Sequence, residues 1–355
     1  MKIAVINDTH FGARNDNQVF AQHFKKFYDE VFFPTLRDQN IDTVFVVGDL
    51  IDRRKYINFV TLNHIKETFM EPCYNSGIEV HVAVGNHDCY YKNTNEVNSV
   101  RSLFENSKYT NIHIYEHEPV EFEYDGTKVM LVPWIAQNNY DVCVKAFQDT
   151  EAQILFAHLE IQGFEMLKGQ ICSHGFDKKQ FSKFDAVYSG HFHHPSTYGN
   201  ITYMGAPYEM NWSDYDGKRG FHIFDTSDRS MTFIENPHKI FKKVFYDDTD
   251  MSVEDVSSMD NKQLTDTFVK IIIKTKNNPY LFDLFLDHIQ SAAPADIKVV
   301  EDHLNLDVVD ENDMIDEAQD THTILNQFID NMDTQVSRDR IKKMITDLYQ
   351  EAINL

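Results

Sequence analysis

The sequence predicts an α/β fold built around a mixed β-sheet. Three apolar runs near the start of the chain are each bounded by polar or turn-forming residues: KIAVIND, TVFVVGD and EVHVAVGNHD. Amphipathic stretches separate them, from Phe20 to Leu36 and from Phe59 to Tyr74. Strands and helices that alternate at this spacing predict βαβ units, so the first strands are expected to be parallel.

Further apolar runs follow between residues 128 and 235: KVMLVPW, AQILFAHLE, DAVYSGHFH, ITYMG, GFHIFD and MTFIE. The later runs lie too close together for helices between them. Close spacing favours antiparallel or mixed pairing, because parallel neighbours need long crossovers. These strands are expected to complete a first domain over residues 1–240.

The pattern changes beyond residue 240. TFVKIIIKT, NPYLFDLFLDHIQSAA and DIKVVED predict a small β-α-β unit over 241–305, with Pro279 in the first turn of its helix. Residues 301–320 contain nine acidic residues and no Lys or Arg, which predicts a solvated linker over 306–320 or, alternatively, an ordered acidic surface. Apolar residues at helical spacing in 321–355 predict two helices that pack on the body or bind a partner.

Composition bounds the class of protein. A chain of 355 residues with 42% apolar residues can form two or three globular domains. No apolar run is long enough to span a bilayer, the N-terminus does not resemble a signal peptide, and the four cysteines form no CxxC pair. These features predict a cytoplasmic protein, in the host cell if a phage encodes it.

A net charge of −23 argues at first sight against nucleic-acid binding. The acidic excess is uneven, because residues 241–355 carry 24 acids against 11 bases. Local basic patches or metal ions can therefore still contact a phosphate.

Metal-ligating residue types follow several predicted strands. The groups are Asp8-Thr9-His10, Gly48-Asp49-Leu50-Ile51-Asp52, Gly85-Asn86-His87-Asp88, His158 and His191-Phe192-His193. Residues just past the carboxyl ends of parallel strands converge on one crevice, so we expect one site. Carboxylate, imidazole and amide ligands together suit Mn, Fe or Zn better than Mg. Two such ions favour hydrolysis at phosphorus.

The tract GHFHHPSTYGNITYMGAPYEMNWSDYDGKRGFHIFD resembles the calcineurin-like metallophosphoesterases and, more narrowly, the SbcD-type DNA-repair nucleases. It has a Gly-His-x-His motif and a Gly-Ser-Pro-like turn at Gly205-Ala206-Pro207. The resemblance is strong over 1–240 and looser beyond. It is greatest to the tailed-phage recombination endonuclease subunits, which work with an SbcC-like coiled-coil ATPase. The resemblance implies a sandwich of two mixed sheets flanked by helices, a small β-α-β capping domain and C-terminal helices.

The resemblance also implies a ligand set for two divalent ions, most simply Mn²⁺. The first ion would be held by Asp8, His10, Asp49 and His193, and the second by Asp49, Asn86, His158 and His191, with Asp49 bridging. His87 would stabilise the transition state or protonate the leaving oxygen. His191 and His193 are expected to point the same way, since residues i and i+2 of an extended segment share a face, whereas His194 points away.

The implied function is an Mn-dependent DNA nuclease, a double-strand exonuclease and single-strand endonuclease, in an SbcCD-type complex. The ATPase would bind the helices of 321–355, and a homodimer would form through the amphipathic helices between the first motifs. Many cellular members carry a His two or three residues after the bridging Asp, and the family links that His to exonuclease action. This chain has Leu50-Ile51-Asp52 there, so the assignment of exonuclease chemistry to this position stays open. Asp52 would orient His87 or another ligand, or cap the next helix. Candidate substrate contacts are Asp52, Arg53, Arg54, Lys55 and Lys92, of which the four basic residues would contact phosphate.

Three alternatives stay open at this point. Gly48-Asp49-x-x-Asp52-Arg53 suggests a phosphoprotein phosphatase, although Arg54 and Asp88 depart from that pattern. A small-molecule phosphodiesterase leaves the C-terminal third without a role. A non-catalytic DNA-end scaffold has no physical need for a complete ligand set.

Overall fold

The computed structural model describes residues 1–167 and 170–301, together with six positions between 329 and 344. Two six-stranded mixed sheets face each other, as the sequence predicted. The linker predicted at 306–320 lies outside the described residues. So does most of the helical segment predicted at 321–355, where Ile329, Arg338, Arg340, Ile341 and Met344 are helical.

The first sheet contains the three N-terminal strands at its centre. Its strands, numbered in chain order, are β1 (Lys2–Ile6), β2 (Thr43–Val47), β3 (Glu79–Ala83), β4 (Ile112–Tyr115), β13 (Gly220–Asp225) and β14 (Ser230–Glu235). The order across the sheet is β14-β13-β1-β2-β3-β4; β1 to β4 are parallel, whereas β13 pairs antiparallel with both β1 and β14.

The second sheet has the order β11-β12-β10-β7-β6-β5. Strands β6, β7, β10 and β12 are parallel, and the two edge strands pair antiparallel. Its strands are β5 (Val120–Tyr124), β6 (Thr127–Val132), β7 (Ile154–His158), β10 (Ala186–Gly190), β11 (Ser196–Tyr198) and β12 (Ile201–Tyr203). A two-stranded hairpin, β8 (Glu165–Leu167) and β9 (Gln170–Ile171), lies between β7 and β10 in the chain.

Alternating side chains of the sheet strands form separate layers of core. Ile3, Val5 and Phe45 of the first sheet pack with Leu131 and Phe156 of the second. The opposite faces of the two sheets are covered by helices in two further apolar clusters. The helices are α1 (Gln18–Phe27), α2 (Phe33–Asp38), α3 (Phe59–Ile65), α4 (Glu71–Asn75), α5 (Ser99–Phe104) and α6 (Tyr140–Asp149), with π-helical turns at Tyr28–Phe32 and Lys66–Met70. This layering fixes both sheets, and so the carboxyl ends of their strands, against each other.

The predicted β-α-β unit is present and contains one strand more than expected. Strands β15 (Phe241–Asp247), β16 (Phe268–Thr275) and β17 (Asp296–Glu301) form a parallel three-stranded sheet. Helix α7 (Val253–Ser258) and helix α8 (Pro279–Gln290) accompany it. Pro279 is the first residue of α8, and Asn278 caps it by accepting a hydrogen bond from the amide of Leu281. The unit has its own apolar core.

Among the described residues, no helix combines the length and apolar character that crossing a lipid bilayer requires. The four cysteines are all buried free thiols, in line with the absence of a CxxC pair.

A half-buried histidine on β13, His222, predicts acid sensitivity of the fold. Burial lowers the pKa of His222 to about 4, and its ring packs 5.2 Å from that of Phe233. Between the ordinary pKa of about 6.5 and pH 4 the unfolded chain binds a proton that the folded chain does not, so stability falls as the pH falls. From pH 7 to pH 5 we expect His222 alone to lower the free energy of unfolding by roughly 2 kcal/mol.

Urea denaturation at both pH values measures this loss. His222→Gln, which stays neutral throughout, should remove that share of it. An unchanged pH dependence in His222→Gln would show that His222 is not responsible.

Candidate metal centre

The five predicted motifs meet at the carboxyl ends of strands from both sheets. Strands β1, β2 and β3 of the first sheet precede three of them, and β7 and β10 of the second sheet precede the other two. Two glycines allow the close approach. A Cβ atom on Gly48 would lie 2.1 Å from Nδ1 of His158, and one on Gly85 would lie 2.1 Å from the amide nitrogen of Asp49. A larger residue at Gly48 would push the two sheets apart, and one at Gly85 would separate the loops that follow β2 and β3.

One cluster of ligand atoms joins Asp8, His10 and His193. The three side chains are buried, and their ligand atoms all lie within 4.8 Å of one another. The Nε2 atoms of His10 and His193 are 3.1 Å apart, and each lies 3.9 Å from Oδ1 of Asp8. The family resemblance assigned all three residues to the same proposed ion.

A second cluster joins Asp49, His158 and His191, and Asn86 lies against it. Nε2 of His158 is 3.2 Å from Oδ2 of Asp49. One terminal atom of the Asn86 amide lies 2.8 Å from Nε2 of His158 and 3.0 Å from Nδ1 of His191. Oxygen at that position can bind a cation together with both imidazoles, as expected of a ligand amide.

Asp49 lies between the two clusters. Its Oδ2 atom is 3.2 Å from Nε2 of His158 in the second cluster and 3.7 Å from Nε2 of His10 in the first. Its other oxygen, Oδ1, accepts a hydrogen bond from the amide of His87 at 2.7 Å. That bond fixes the carboxylate so that one oxygen faces both clusters, which is the arrangement needed for a bridging ligand.

The centre is strongly polarised. Burial opposes ionisation of Asp49, but the nearby charges of His158 and His87 hold its pKa well below the ordinary value. Burial lowers the pKa of His158, yet the Asp49 carboxylate outweighs it and raises that pKa to about 9. Likewise, a hydrogen bond and charge from Asp52, with the charges of Asp49 and Asp8, overcome burial and raise the pKa of His10 to about 10. A buried group of carboxylates thus attracts positive charge.

The donor set fits a pair of divalent cations. The Nε2 atoms of the buried His10 and His193 face each other at 3.1 Å, and each lies 3.9 Å from Oδ1 of Asp8. Buried polar atoms of this kind are normally satisfied. A cation bound between these nitrogens and the oxygens of Asp8 and Asp49 would satisfy them, and nitrogen with carboxylate ligands suits Mn, Fe or Zn.

His87 lies beside the clusters with its ring orientation fixed. Its Nδ1 donates to the backbone carbonyl of Asp52 at 2.7 Å, and its ring meets that of His10 edge-on at 4.8 Å between centroids. A carbonyl can only accept, so the proton is on Nδ1 and Nε2 is the basic nitrogen of the neutral ring. Burial lowers the pKa of His87.

Asp52 orients two histidines and does not cap a helix. Its carboxylate Oδ1 lies 3.3 Å from Nδ1 of His10, and its carbonyl accepts from His87. The cap of α3 is instead Asn58, whose side chain accepts from the amide of Val60. The alternative that Asp52 caps the next helix is therefore wrong, and a carboxylate behind a ligand histidine is its position in the fold.

The four basic residues proposed as phosphate contacts occupy different environments. Arg53 forms a salt bridge with Asp16 at 2.8 Å, which ties the loop after β2 to the segment after β1. Arg54 Nη2 lies 3.2 Å from the outer atom of the Asn86 amide, beside the second cluster. Lys55 lies over the ring of Tyr90, 5.9 Å from its centroid, and Lys92 is exposed on the following loop. Arg54 is the one of the four that the structure brings to the clusters.

Sequence reasoning missed the residues that hold the ligands from behind. Glu160 accepts from Nε2 of His191 at 3.1 Å. Arg219, which is buried, donates to the backbone carbonyl of His193 and pairs with Asp214 at 2.7 Å. Asp88 accepts from three amides at the ends of β2 and β3, those of Leu50, Ile51 and Gly85. The contacts of Glu160 with His191, of Arg219 with His193 and of Asp88 with Leu50 and Ile51 join residues far apart in the chain, so no local pattern signalled them.

The expected reason for the shared direction of His191 and His193 is also wrong. They do not lie in an extended segment, since β10 ends at Gly190 and His191 has φ 87°. The chain turns there, and each imidazole enters a different cluster. His194 contacts Arg219 and Asp214, away from both clusters, as expected.

Positive φ angles recur among the ligand residues. Asp8 (49°), His10 (40°), Asp49 (52°) and His191 (87°) all adopt the left-handed region. Residues other than glycine occupy it at an energetic cost, and such strain collects at functional sites. The loops after β1, β2 and β10 are therefore bent by the fold to bring these side chains together.

Known proteins are similar to this chain. Residues 1–195 match the model of the calcineurin-like phosphoesterases. Exonuclease subunit 1 of Enterobacteria phage T4 is 27% identical over 356 residues, which cover 99% of both chains. A solved archaeal phosphodiesterase aligns with 66% of this chain and all of its own, at 14% identity and a TM-score of 0.31.

The matched region ends just past His193 and so includes every clustered histidine, carboxylate and amide. It also covers more than half of the chain. The protein therefore belongs to the calcineurin-like phosphoesterase family and is a metal-dependent phosphoesterase.

Proposed function

We propose that this protein is an Mn²⁺-dependent DNA nuclease, a double-strand exonuclease and single-strand endonuclease, that hydrolyses phosphodiesters at a two-ion centre. The observation that supports it most is the position of Asp49, whose Oδ2 atom lies within 4 Å of imidazoles from both clusters. One ion would be held by Asp8, His10, Asp49 and His193, and the other by Asp49, Asn86, His158 and His191. A pair of bound ions supplies positive charge for the phosphate oxygens and lowers the pKa of a coordinated water.

The chain's own residues would orient the substrate and manage the protons. Asp52 and Glu160 hold His10 and His191 in the ring orientations that direct nitrogen atoms into the clusters. His87, fixed by the carbonyl of Asp52, would first take up a proton at Nε2 and in that imidazolium form would stabilise the transition state or protonate the leaving oxygen. Arg54, beside Asn86, would contact the phosphate.

DNA as the substrate is supported by the relative from phage T4, an exonuclease subunit that matches over essentially the full length. Two cation–π pairs on the loops beside the clusters are also consistent with a DNA substrate: Lys55 lies over Tyr90, and Arg53 lies over Tyr56. Cations interleaved with aromatic rings suit a phosphate backbone and its bases. Such a local patch lets a chain of net charge −23 meet a polyanion.

Cleavage assays test the proposal directly. We expect manganese-dependent hydrolysis of linear double-stranded and single-stranded DNA, and its loss when manganese is removed by a chelator. A generic monoester, p-nitrophenyl phosphate, serves as the comparison. Turnover of that ester or of a small diester with DNA left intact would contradict the nuclease and favour a smaller substrate.

We further propose that residues 321–355 bind an SbcC-like coiled-coil ATPase. The apolar residues of this segment recur at helical spacing, and the phage relative is named as a subunit. Deleting 321–355 should abolish co-purification with the ATPase while manganese-dependent cleavage of single-stranded DNA persists. Full retention of the ATPase would contradict this role.

A homodimer through the helices between the first motifs is part of the same proposal. Phe59 and Val60 at the start of α3 are 81% and 53% exposed, which leaves an apolar surface uncovered in the single chain. A second copy of the chain would cover it.

A further inference from the structure

A cavity of about 260 Å³ opens beside the second cluster and is not used by the chemistry described above. It shares His158 with the metal centre, and its other lining residues include Trp134, Tyr140, Glu160, Phe176 and Gln180. The cavity is large enough for a flat heterocycle and borders the metal centre at His158.

The cavity has aromatic rings held in fixed positions. The rings of Tyr140 and Phe176 stack at 5.8 Å with an angle of 9° between their planes. Phe176 is anchored behind by Phe147 and Phe181, at 6.4 and 5.9 Å. A ring stack supported by the core keeps its open surface without a ligand.

Trp134 joins the cavity to the metal centre. Its ring lies 5.2 Å from that of His191 and 5.9 Å from that of His158. Its backbone is tied on both sides, since its amide donates to Val84 and its carbonyl accepts from the side chain of Asn139. A group that binds against Trp134 is therefore next to two of the proposed ligands.

The charge of the cavity excludes a phosphate as its occupant. Its described lining residues include the carboxylate of Glu160 and no Lys or Arg. Aromatic rings offer stacking to a nucleobase, and every base has a face that can stack. The exposed amide of Gln180 carries both a donor and an acceptor for a base edge.

We propose that this cavity is a nucleobase site. It takes one unstacked base of the nucleotide whose phosphate lies at the metal centre, with the base contacting Trp134 and the Tyr140–Phe176 stack. The inference rests on the proposed function, because it assumes a nucleic-acid substrate. It implies that the enzyme cuts at single-stranded regions and frayed ends, where a base can leave its stack. It also implies that a mononucleotide, which is a product of cleavage, binds with its base in this cavity.

Binding of mononucleotides tests the site. Isothermal titration of the full chain with Mn²⁺ compares deoxyadenosine 5′- and 3′-monophosphate with the corresponding base-free deoxyribose phosphates. We expect at least one nucleotide to bind about tenfold more tightly than its base-free counterpart, which is the order of one base–ring stacking contact. Quenching of Trp134 fluorescence, read in a Trp212→Phe background, should accompany binding.

Variants at the exposed ring assign the effect. Tyr140 is 45% exposed, so Tyr140→Ala leaves the core intact and should remove most of the preference for the base, whereas Tyr140→Phe should keep it. Tyr280→Ala, at a 68% exposed ring of the small domain, is the matched control and should change nothing.

Equal affinity for the nucleotide and the sugar phosphate would show that the cavity does not bind a base. A preference for the nucleotide that survives Tyr140→Ala would contradict the proposed site as well. The nuclease proposal fails separately. If DNA is not cleaved but the nucleotides keep their base-dependent affinity, the base site stands and the substrate is a smaller nucleotide ester.

Discussion

Asp49→Asn is expected to abolish hydrolysis while the protein stays folded. The substitution replaces the carboxylate with a neutral amide. Oδ2 of that carboxylate lies 3.2 Å from Nε2 of His158 and 3.7 Å from Nε2 of His10. Several kcal/mol of charge stabilisation are lost with the ions, which corresponds to a rate lower by roughly a thousandfold or more. Asn is chosen over Ala because Asp49 has φ 52°, a conformation that Asn tolerates.

Two measurements accompany the rate. Titration with Mn²⁺ should show weaker binding at both positions, because Asp49 belongs to both clusters, and thermal stabilisation by the metal should be lost with it. Asp266→Asn is the matched control, an exposed Asp with a φ of 55° in the small domain. If Asp49→Asn retained full metal binding at both positions, Asp49 could not be the bridge.

His87→Ala is expected to separate catalysis from metal binding. The imidazole lies beside His10 and is not one of the proposed ligands, so Mn²⁺ affinity and thermal stability should remain near those of the wild type. Cleavage should fall by roughly 10² to 10⁴, the range typical of a positioned acid or base. His113→Ala, at a partly exposed histidine on the sheet edge, is the control.

The leaving group distinguishes the two roles left open for His87. A p-nitrophenolate leaves without protonation, so bis-p-nitrophenyl phosphate should lose much less activity than DNA if His87 protonates the leaving oxygen. An equal loss on both substrates would indicate stabilisation of the transition state instead. Unaltered DNA cleavage would remove His87 from the mechanism.

The convergence of the motifs could be predicted from the sequence because each motif follows a strand, whereas their division into two clusters was implied by the family resemblance. Asp8, Asp49 and Asn86 come directly after apolar runs that form β1, β2 and β3, and adjacent parallel strands end at one edge. Motifs that follow successive strands along the chain therefore lie close together in the folded protein. The three-stranded sheet at 241–301 was also visible, except for β15, whose alternation of Lys with apolar residues is weak.

The remaining parts of the site depend on tertiary contacts. Glu160 and Trp134 come close to the ligands only because β6, β7 and β10 lie side by side in the folded sheet. Arg219 and His193, which are in contact, are 26 residues apart in the chain. The turn at His191 was misjudged because a His-x-His spacing looks the same in a strand and in a bend. Backbone conformation at a strained residue is set by the surrounding fold and not by its own identity.

The ligands come from both sheets, and this has a consequence for the order of events during synthesis. The last of them, His193, is made only after the ribosome has translated more than half of the chain, and the strands that hold the first sheet's other edge, β13 and β14, come later still. A nascent chain shorter than this lacks two of the proposed imidazole ligands. A copy that ends before His191 therefore cannot assemble the second cluster or the first, and phosphoesterase activity begins only once strands of both sheets have come together.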